Sequence, residues 1–278
     1  MNPLPIGVVS RSFPSLTHGE TAQVLAAAGA VSTELCLVSA DTAYWVYNGR
    51  SDLSTLTDAQ FAGIVNAYRE QGIDVPAFGV FTNLIDPKED ERKKNLDYFE
   101  QHMALASKQE IPFVATECGF TTHERGVNAD HYEEDFDRLK QSLADLCQRA
   151  AHHGVCVALE PCVIDIVPSA KRMRDLIAQV GSDRLRVLLD PANLIANSSE
   201  RDMFAYLAPY VAYFHGKDRK VNDVMGRAVG DGEIDWPLFL SLYHAHCEGK
   251  PFILEYVGPD NFREVMARVR TYDAQERA

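Results

Sequence analysis

Four short apolar runs in the second half of the chain each stop at one polar side chain, and this pattern narrows the possible folds most. They are Cys156-Val-Ala-Leu-Glu-Pro161, Leu185-Arg-Val-Leu-Leu-Asp-Pro191, Val211-Ala-Tyr-Phe-His-Gly-Lys-Asp218 and Pro251-Phe-Ile-Leu-Glu-Tyr-Val257. Parallel strands covered on both faces read as near-continuous apolar runs, so a charged group is tolerated only where the strand emerges from the sheet. The emerging groups are Glu160, Asp190, His215 and Glu255, separated by 30, 25 and 40 residues. Each interval is about one strand-plus-helix unit. Four such strands side by side bring three carboxylates and one imidazole to a common end.

The first half alternates in the same way. Apolar runs starting at Ile6, Ser32, Asp74 and Phe113 precede helical patterns at about 17–28, 57–71, 88–109 and 132–153. Helices at about 169–180, 200–207, 235–248 and from 261 onward follow the four later runs. Thr57 opens its helix with a capping signal, and Asp235-Trp-Pro places a cap and a first-turn proline. Gly29 and Gly154 are helix stops. Eight such units predict a (β/α)8 TIM barrel, one domain over residues 1–278, close to the ~250 residues usual for that architecture. A doubly wound open sheet also alternates, but no Gly-x-Gly-x-x-Gly follows any strand here. Residues at the C-terminal ends of barrel strands carry catalysis far more often than structure. The competing expectation is a network in which these buried acids pair with lysine or arginine.

Composition excludes some partners. With 40 acidic and 27 basic residues the formal charge is −13, which repels phosphate backbones, so no nucleic-acid partner is expected. No apolar run reaches the ~20 residues of a membrane helix, and no basic-then-apolar leader opens the chain, so a soluble cytoplasmic protein without a membrane partner is expected. Cys36, Cys118, Cys147, Cys156, Cys162 and Cys247 lack metal-ligand spacing and read as reduced, mostly buried thiols.

Three carboxylates with a single histidine suit a hard to borderline divalent ion: Mn²⁺ first, then Mg²⁺ or Co²⁺, with Zn²⁺ also admissible. Such an ion polarises a carbonyl and acidifies the neighbouring C–H. Glu160 and Glu255, on opposite sides of a substrate, would each move a proton while touching the ion. Glu34 and Glu117 end strands of the first half, and Glu34 is expected to face the barrel mouth. Lys217 would either neutralise a substrate oxygen or pair with Asp218 or another strand-end acid. Arg227 would reach over the mouth to an anionic group, while Tyr44, Trp45 and Phe81 would offer an apolar wall. His123 and Arg125 fall in a polar loop at 119–130.

On Leu159-Glu160-Pro161, Asp190-Pro191-Ala192-Asn193, His215-Gly216-Lys217-Asp218, Gly230-Asp-Gly-Glu-Ile-Asp-Trp236 and Leu254-Glu255-Tyr256, the chain resembles the xylose isomerase-like TIM-barrel superfamily. Its members include sugar isomerases, ketose 3-epimerases and inosose dehydratases. The likeness covers essentially the whole chain and is most specific over 156–258. It implies that Glu160, Asp190, His215 and Glu255 bind one divalent cation, and that the two glutamates are also the acid/base pair. Many relatives carry histidine where Asn193 stands; an amide orients a substrate but takes no proton at neutral pH. Apurinic-site endonucleases of the same superfamily use extra histidines, whereas the other histidines here fall on helices or loops. The expectation is a metal-dependent isomerase or epimerase of a small polyhydroxy carbonyl substrate, working through an enediolate. A lyase or dehydratase acting on a keto-inositol or keto-acid shares the first step, and a non-catalytic sugar-binding barrel is the reading from another class. A homo-oligomer is compatible with each.

Overall fold

The computed structural model describes residues 2–121 and 129–277; His123 and Arg125 lie outside the described residues. The apolar runs form β1 (Ile6–Val8), β2 (Ser32–Leu35), β3 (Asp74–Gly79), β4 (Phe113–Glu117), β5 (Cys156–Glu160), β6 (Leu185–Leu189), β7 (Val211–Gly216) and β8 (Phe252–Leu254). All pair in parallel, in chain order, as a closed barrel. The ring closes where β1 meets β8, with Ile6, Gly7 and Val8 opposite Phe252, Ile253 and Leu254. Gly7 permits the close approach of β2, since a Cβ there would lie 2.3 Å from the Ser32 carbonyl oxygen.

The helices are α1 (His18–Ala27), α2 (Asp58–Arg69), α3 (Glu89–Lys108), α4 (Tyr132–His153), α5 (Ala170–Val180), α6 (Pro191–Leu194), α7 (Glu200–Leu207), α8 (Trp236–His246) and α9 (Phe262–Arg277). Capping boxes start α1 (Thr17 with Glu20), α2 (Thr57 with Gln60) and α7 (Ser199 with Asp202), satisfying backbone donors that the first helical turn leaves open. Left-handed Gly154 and Gly181 end α4 and α5. The (β/α)8 expectation holds, with small differences at element ends. β1 is shorter than its apolar run because residues Ser10–Ser12 turn into a 3-10 helix. The single turn of α6 was not foreseen, being too short for any helical period to show.

Two apolar layers result. The larger lies between the strands and the helices. The smaller fills the barrel with Val9, Ala77, Ala115, Ala158, Leu188, Ala212, Tyr213 and Ile253. Alanines on β3, β4, β5 and β7 keep this inner layer thin, and the strand-end side chains stand above it at the C-terminal mouth. None of the six cysteines is in a disulfide. No helix among the described residues is long and apolar enough to cross a membrane.

Candidate metal centre

The four strand-end groups converge. Glu160 ends β5, Asp190 follows β6, His215 lies in β7 and Glu255 follows β8. One ligand atom from each lies within 4.8 Å of all the others, and all four residues are buried. Ligands on opposite sides of a six-coordinate ion with bonds of ~2.1 Å sit ~4.2 Å apart, so a small contraction would close the set on a dication.

The imidazole is already aimed. His215 Nε2 lies 2.8 Å from Glu34 Oε2, while its Nδ1 faces Glu160 Oε1 at 3.3 Å and Glu255 Oε2 at 3.7 Å. A ring that donates Nε2–H to a carboxylate directs Nδ1 toward the other acids, where it would meet an ion after giving up its proton. Glu34 is fully buried and also accepts from the Tyr213 hydroxyl (2.5 Å) and Arg11 (3.2 Å). Space for it comes from Gly79, where a Cβ would lie 2.5 Å from Glu34 Oε1. The expectation that Glu34 faces the mouth is met, with a role the sequence did not reveal: it braces the histidine. Burial presses the Glu34 carboxyl upward, but His215, Arg11 and Tyr213 outweigh it and hold it below its ordinary value. Burial pulls His215 down, and Glu34 and Glu160 more than reverse this, raising it well above the usual imidazole range.

Lys217 occupies the centre of the acid cluster. Its ammonium lies 2.6 Å from Asp190 Oδ2, 2.9 Å from Glu255 Oε2 and 3.8 Å from Glu160 Oε1. This is the lysine pairing of the competing expectation, and it places a positive charge where the donor set could hold an ion. The Asp190 contact is close but poorly aligned, leaving Oδ2 without a proper hydrogen bond, while Oδ1 accepts from the Ala192 and Asn193 amides. Burial lifts the Asp190 carboxyl, Lys217 pulls it back, and Glu160 and Glu255 lift it again, to about 7. Glu255 is held well below its ordinary value: burial opposes this, but Lys217, Arg11 and His215 prevail.

Lys217 therefore pairs with strand-end acids and not with Asp218. Alternate residues of an extended strand point to opposite sides, so Tyr213, His215 and Lys217 turn inward while Asp218 turns away. Asp218 accepts from the backbone of Arg219, Gly230 and Ile234 and from Trp236 Nε1, all at 2.8–3.2 Å. Gly232 lets the loop close on it, since a Cβ there would lie 2.1 Å from Asp218 Oδ1. The glycine-rich segment is thus tied to the end of β7 by one buried carboxylate.

Asn193 donates to Glu160 Oε1 at 2.8 Å and accepts from Arg219 Nη2 at 3.1 Å. Asn193 and Arg219 line a cavity of about 510 Å³ that meets the quartet at Glu255, together with Arg11, Tyr47, Phe81, Glu117, Lys217 and Tyr256; Glu160, Asp190 and His215 lie behind Asn193 and Lys217. Arg11 pairs with Glu255 and Glu34 and lies 5.1 Å over the Phe81 ring. Of the expected apolar wall, Phe81 lines the cavity and Trp45 packs behind it at 6.1 Å, next to Tyr47. Tyr44 instead turns its hydroxyl to Thr55, outside the cavity. Arg227 pairs with Asp223 on its own loop and does not line the cavity. Arg219, buried at the rim, was missed; its one signal was a basic residue directly behind a strand-end cluster.

A family model described as xylose isomerase-like TIM barrel matches residues 22–272. The chain belongs to this family. None of the curated protein sequences matches it significantly. Among solved structures, it is similar to the 3-keto-D-glucoside 4-epimerase of E. coli, with TM-score 0.77, 16% identity and coverage of 96% of this chain and 99% of that one. It is also similar to the probable 3-DHS dehydratase of Bacillus anthracis, with TM-score 0.75, 14% identity and coverage of 96% and 98%. A third likeness is to the IolI protein with a bound zinc atom, with TM-score 0.73, 14% identity and coverage of 99% and 96%. At these identities the likenesses establish the fold. In this family member, a buried Glu–Asp–His–Glu group at the barrel mouth can hold a divalent metal.

Proposed function

We propose that this protein is a divalent-metal-dependent isomerase or epimerase of a small hydroxylated carbonyl compound. The observation that carries this reading is the convergence of Glu160, Asp190, His215 and Glu255 within 4.8 Å, beside a cavity that Glu255 and Lys217 line. The 3-keto-D-glucoside 4-epimerase among the structural neighbours supports this reaction type, and the probable dehydratase supports the lyase that shares its first step. The donor set favours Mn²⁺, while the zinc in the IolI protein keeps that ion among those to assay. When bound, the ion supplies Lewis-acid polarisation of the substrate carbonyl.

The chain's own side chains do the rest. Glu160 ends β5 and Glu255 follows β8, three strands apart in the ring, so the two carboxylates reach the quartet from different sides. One removes the proton alpha to the carbonyl and the other returns a proton to the opposite face, which inverts that carbon. Asn193, hydrogen-bonded to Glu160, fixes the direction of that carboxylate and offers its amide to a substrate oxygen. Lys217 pairs with Asp190 and Glu255, and with those two carboxylates holding an ion its ammonium would be free to face a developing oxyanion. Tyr47 and Phe81 give carbon-bound hydrogens an apolar surface and keep water from the reacting carbon.

The test is solvent exchange. Protein loaded with Mn²⁺ and incubated with a panel of ketoses, keto-inositols and keto-acids in D₂O is expected to place deuterium alpha to the carbonyl of its substrate. Asp190→Ala is expected to lose most of the bound metal and the exchange. Product formed without solvent deuterium would instead make the reaction a hydride shift and would remove both glutamates from the proton-transfer role.

A further inference from the structure

We propose that the substrate of this site carries a carboxylate, and that Arg219 is the residue that receives it. Arg219 is only 4% exposed and lines the cavity beside the quartet. Its Nη2 donates to Asn193 Oδ1, but its Nε and Nη1 are buried with no hydrogen-bond partner. Among the described residues no carboxylate lies within ion-pair distance of it. The other cations of the cavity are differently placed: Lys217 touches three carboxylates and Arg11 two. A buried guanidinium without a counter-charge is costly to keep, and a planar fork of N–H groups matches the two oxygens of a carboxylate.

The acids nearby do not supply that counter-charge, because each has other partners. Glu34 takes His215, Tyr213 and Arg11; Asp190 and Glu255 take Lys217; Glu160 takes Asn193 and His215. A single amide, Asn193, separates the guanidinium from Glu160. A group held on Arg219 is therefore next to the carboxylate assigned to proton transfer, and its charge fixes which end of the molecule points toward the quartet. A carboxylate fits better than a phosphate. Among the described residues Arg219 is the one cation of the cavity without an anionic partner, and a single planar guanidinium matches one negative charge better than two.

This assignment rests on the cavity being the substrate site of the proposed isomerase or epimerase, and the test separates the two. The probes are D-fructose, D-fructuronate and D-fructose 6-phosphate, which differ only at C6, titrated calorimetrically into Mn²⁺-loaded protein. Fructuronate is expected to bind about 10- to 100-fold tighter than fructose, the range of a charged hydrogen-bonded contact. Arg219→Met is expected to abolish that advantage and Arg219→Lys to keep part of it. Metal content should be unchanged in both, and the melting temperature of Arg219→Met should not fall, because an uncompensated buried charge has been removed.

Failure of fructuronate to bind better than fructose, or an advantage that survives Arg219→Met, overturns the assignment. So does an Arg219-dependent preference for the phosphate, and so does an Arg219→Met protein that melts early yet binds fructuronate normally, which would make the residue structural. Proton exchange followed by NMR in the same samples reads the reaction separately. Fructuronate bound through Arg219 without exchange retires the isomerase reading and keeps this one. Exchange on fructose and fructuronate alike, with no Arg219-dependent advantage for fructuronate, does the reverse.

Discussion

The two halves of the barrel mouth are built for different work. Strands β5 to β8 end in the groups that could hold a divalent ion: Glu160, Asp190, His215 and Glu255, with Lys217 among them. Strands β1 to β4 and the segments after them end in groups that face those residues. Arg11 pairs with Glu255, Glu34 receives His215, and Phe81 and Tyr47 form the apolar side of the cavity. Reactive groups on one half are held by buried partners on the other. The lesson is that Glu34, the brace of His215, is as buried as the quartet itself, so a change in the first half should read out in the second.

The largest effect that sharpens this contrast belongs to the reactive half. Glu160→Gln and Glu255→Gln keep an oxygen for the ion but cannot accept a proton, so each is expected to lower turnover by about 10²- to 10⁴-fold. Substrate binding, followed calorimetrically, should survive in both. Normal turnover in either variant would move proton transfer to another group.

Lys217 gives the next effect. Replacing it with methionine leaves Glu160, Asp190 and Glu255 buried without their shared cation in metal-free protein. Breaking such a buried pairing costs about 3–5 kcal/mol. Urea unfolding in EDTA should show that loss, and Mn²⁺ should restore stability and bind more tightly than to the parent chain, since no ammonium competes. Equal stability of the two proteins in EDTA would mean that Lys217 compensates nothing.

The smallest of the three lies in the bracing half. Glu34→Gln removes the carboxylate that orients His215 while preserving shape, and such partners of a metal-binding histidine are worth about 10- to 100-fold in affinity. A competition titration against a chelating dye measures it. If Mn²⁺ binds the variant unchanged, the halves are independent and the contrast fails.

Much of this was legible because barrels make it so. A strand buried on both faces has no place for Glu160 or Asp190 except at its end, so the apolar run itself announces the ligand. Lys217 was harder. Adjacency in sequence offered Asp218 as its partner, but successive residues of a strand point apart, and the pair is split between the cavity and the glycine-rich loop. Glu34 could be placed at the mouth, but nothing local says that it will meet a histidine 181 residues later. Arg219 stands in a loop, where no periodicity assigns direction, and only its burial beside Asn193 gives it meaning. For Arg227 the sequence could not foresee that Asp223, four residues earlier on the same loop, would engage its guanidinium.

The seam between β1 and β8 carries a consequence for how the protein is made. Arg11 and Glu255 meet across it, and they are 244 residues apart. A chain emerging from the ribosome displays Glu160, Asp190 and His215 well before Glu255 is synthesised, and three ligands without the fourth and without the Arg11 clasp form an incomplete, weakly binding set. The group that could hold a metal is thus complete only when the last strand docks against the first, so the closing seam of the barrel and the site are finished in one event.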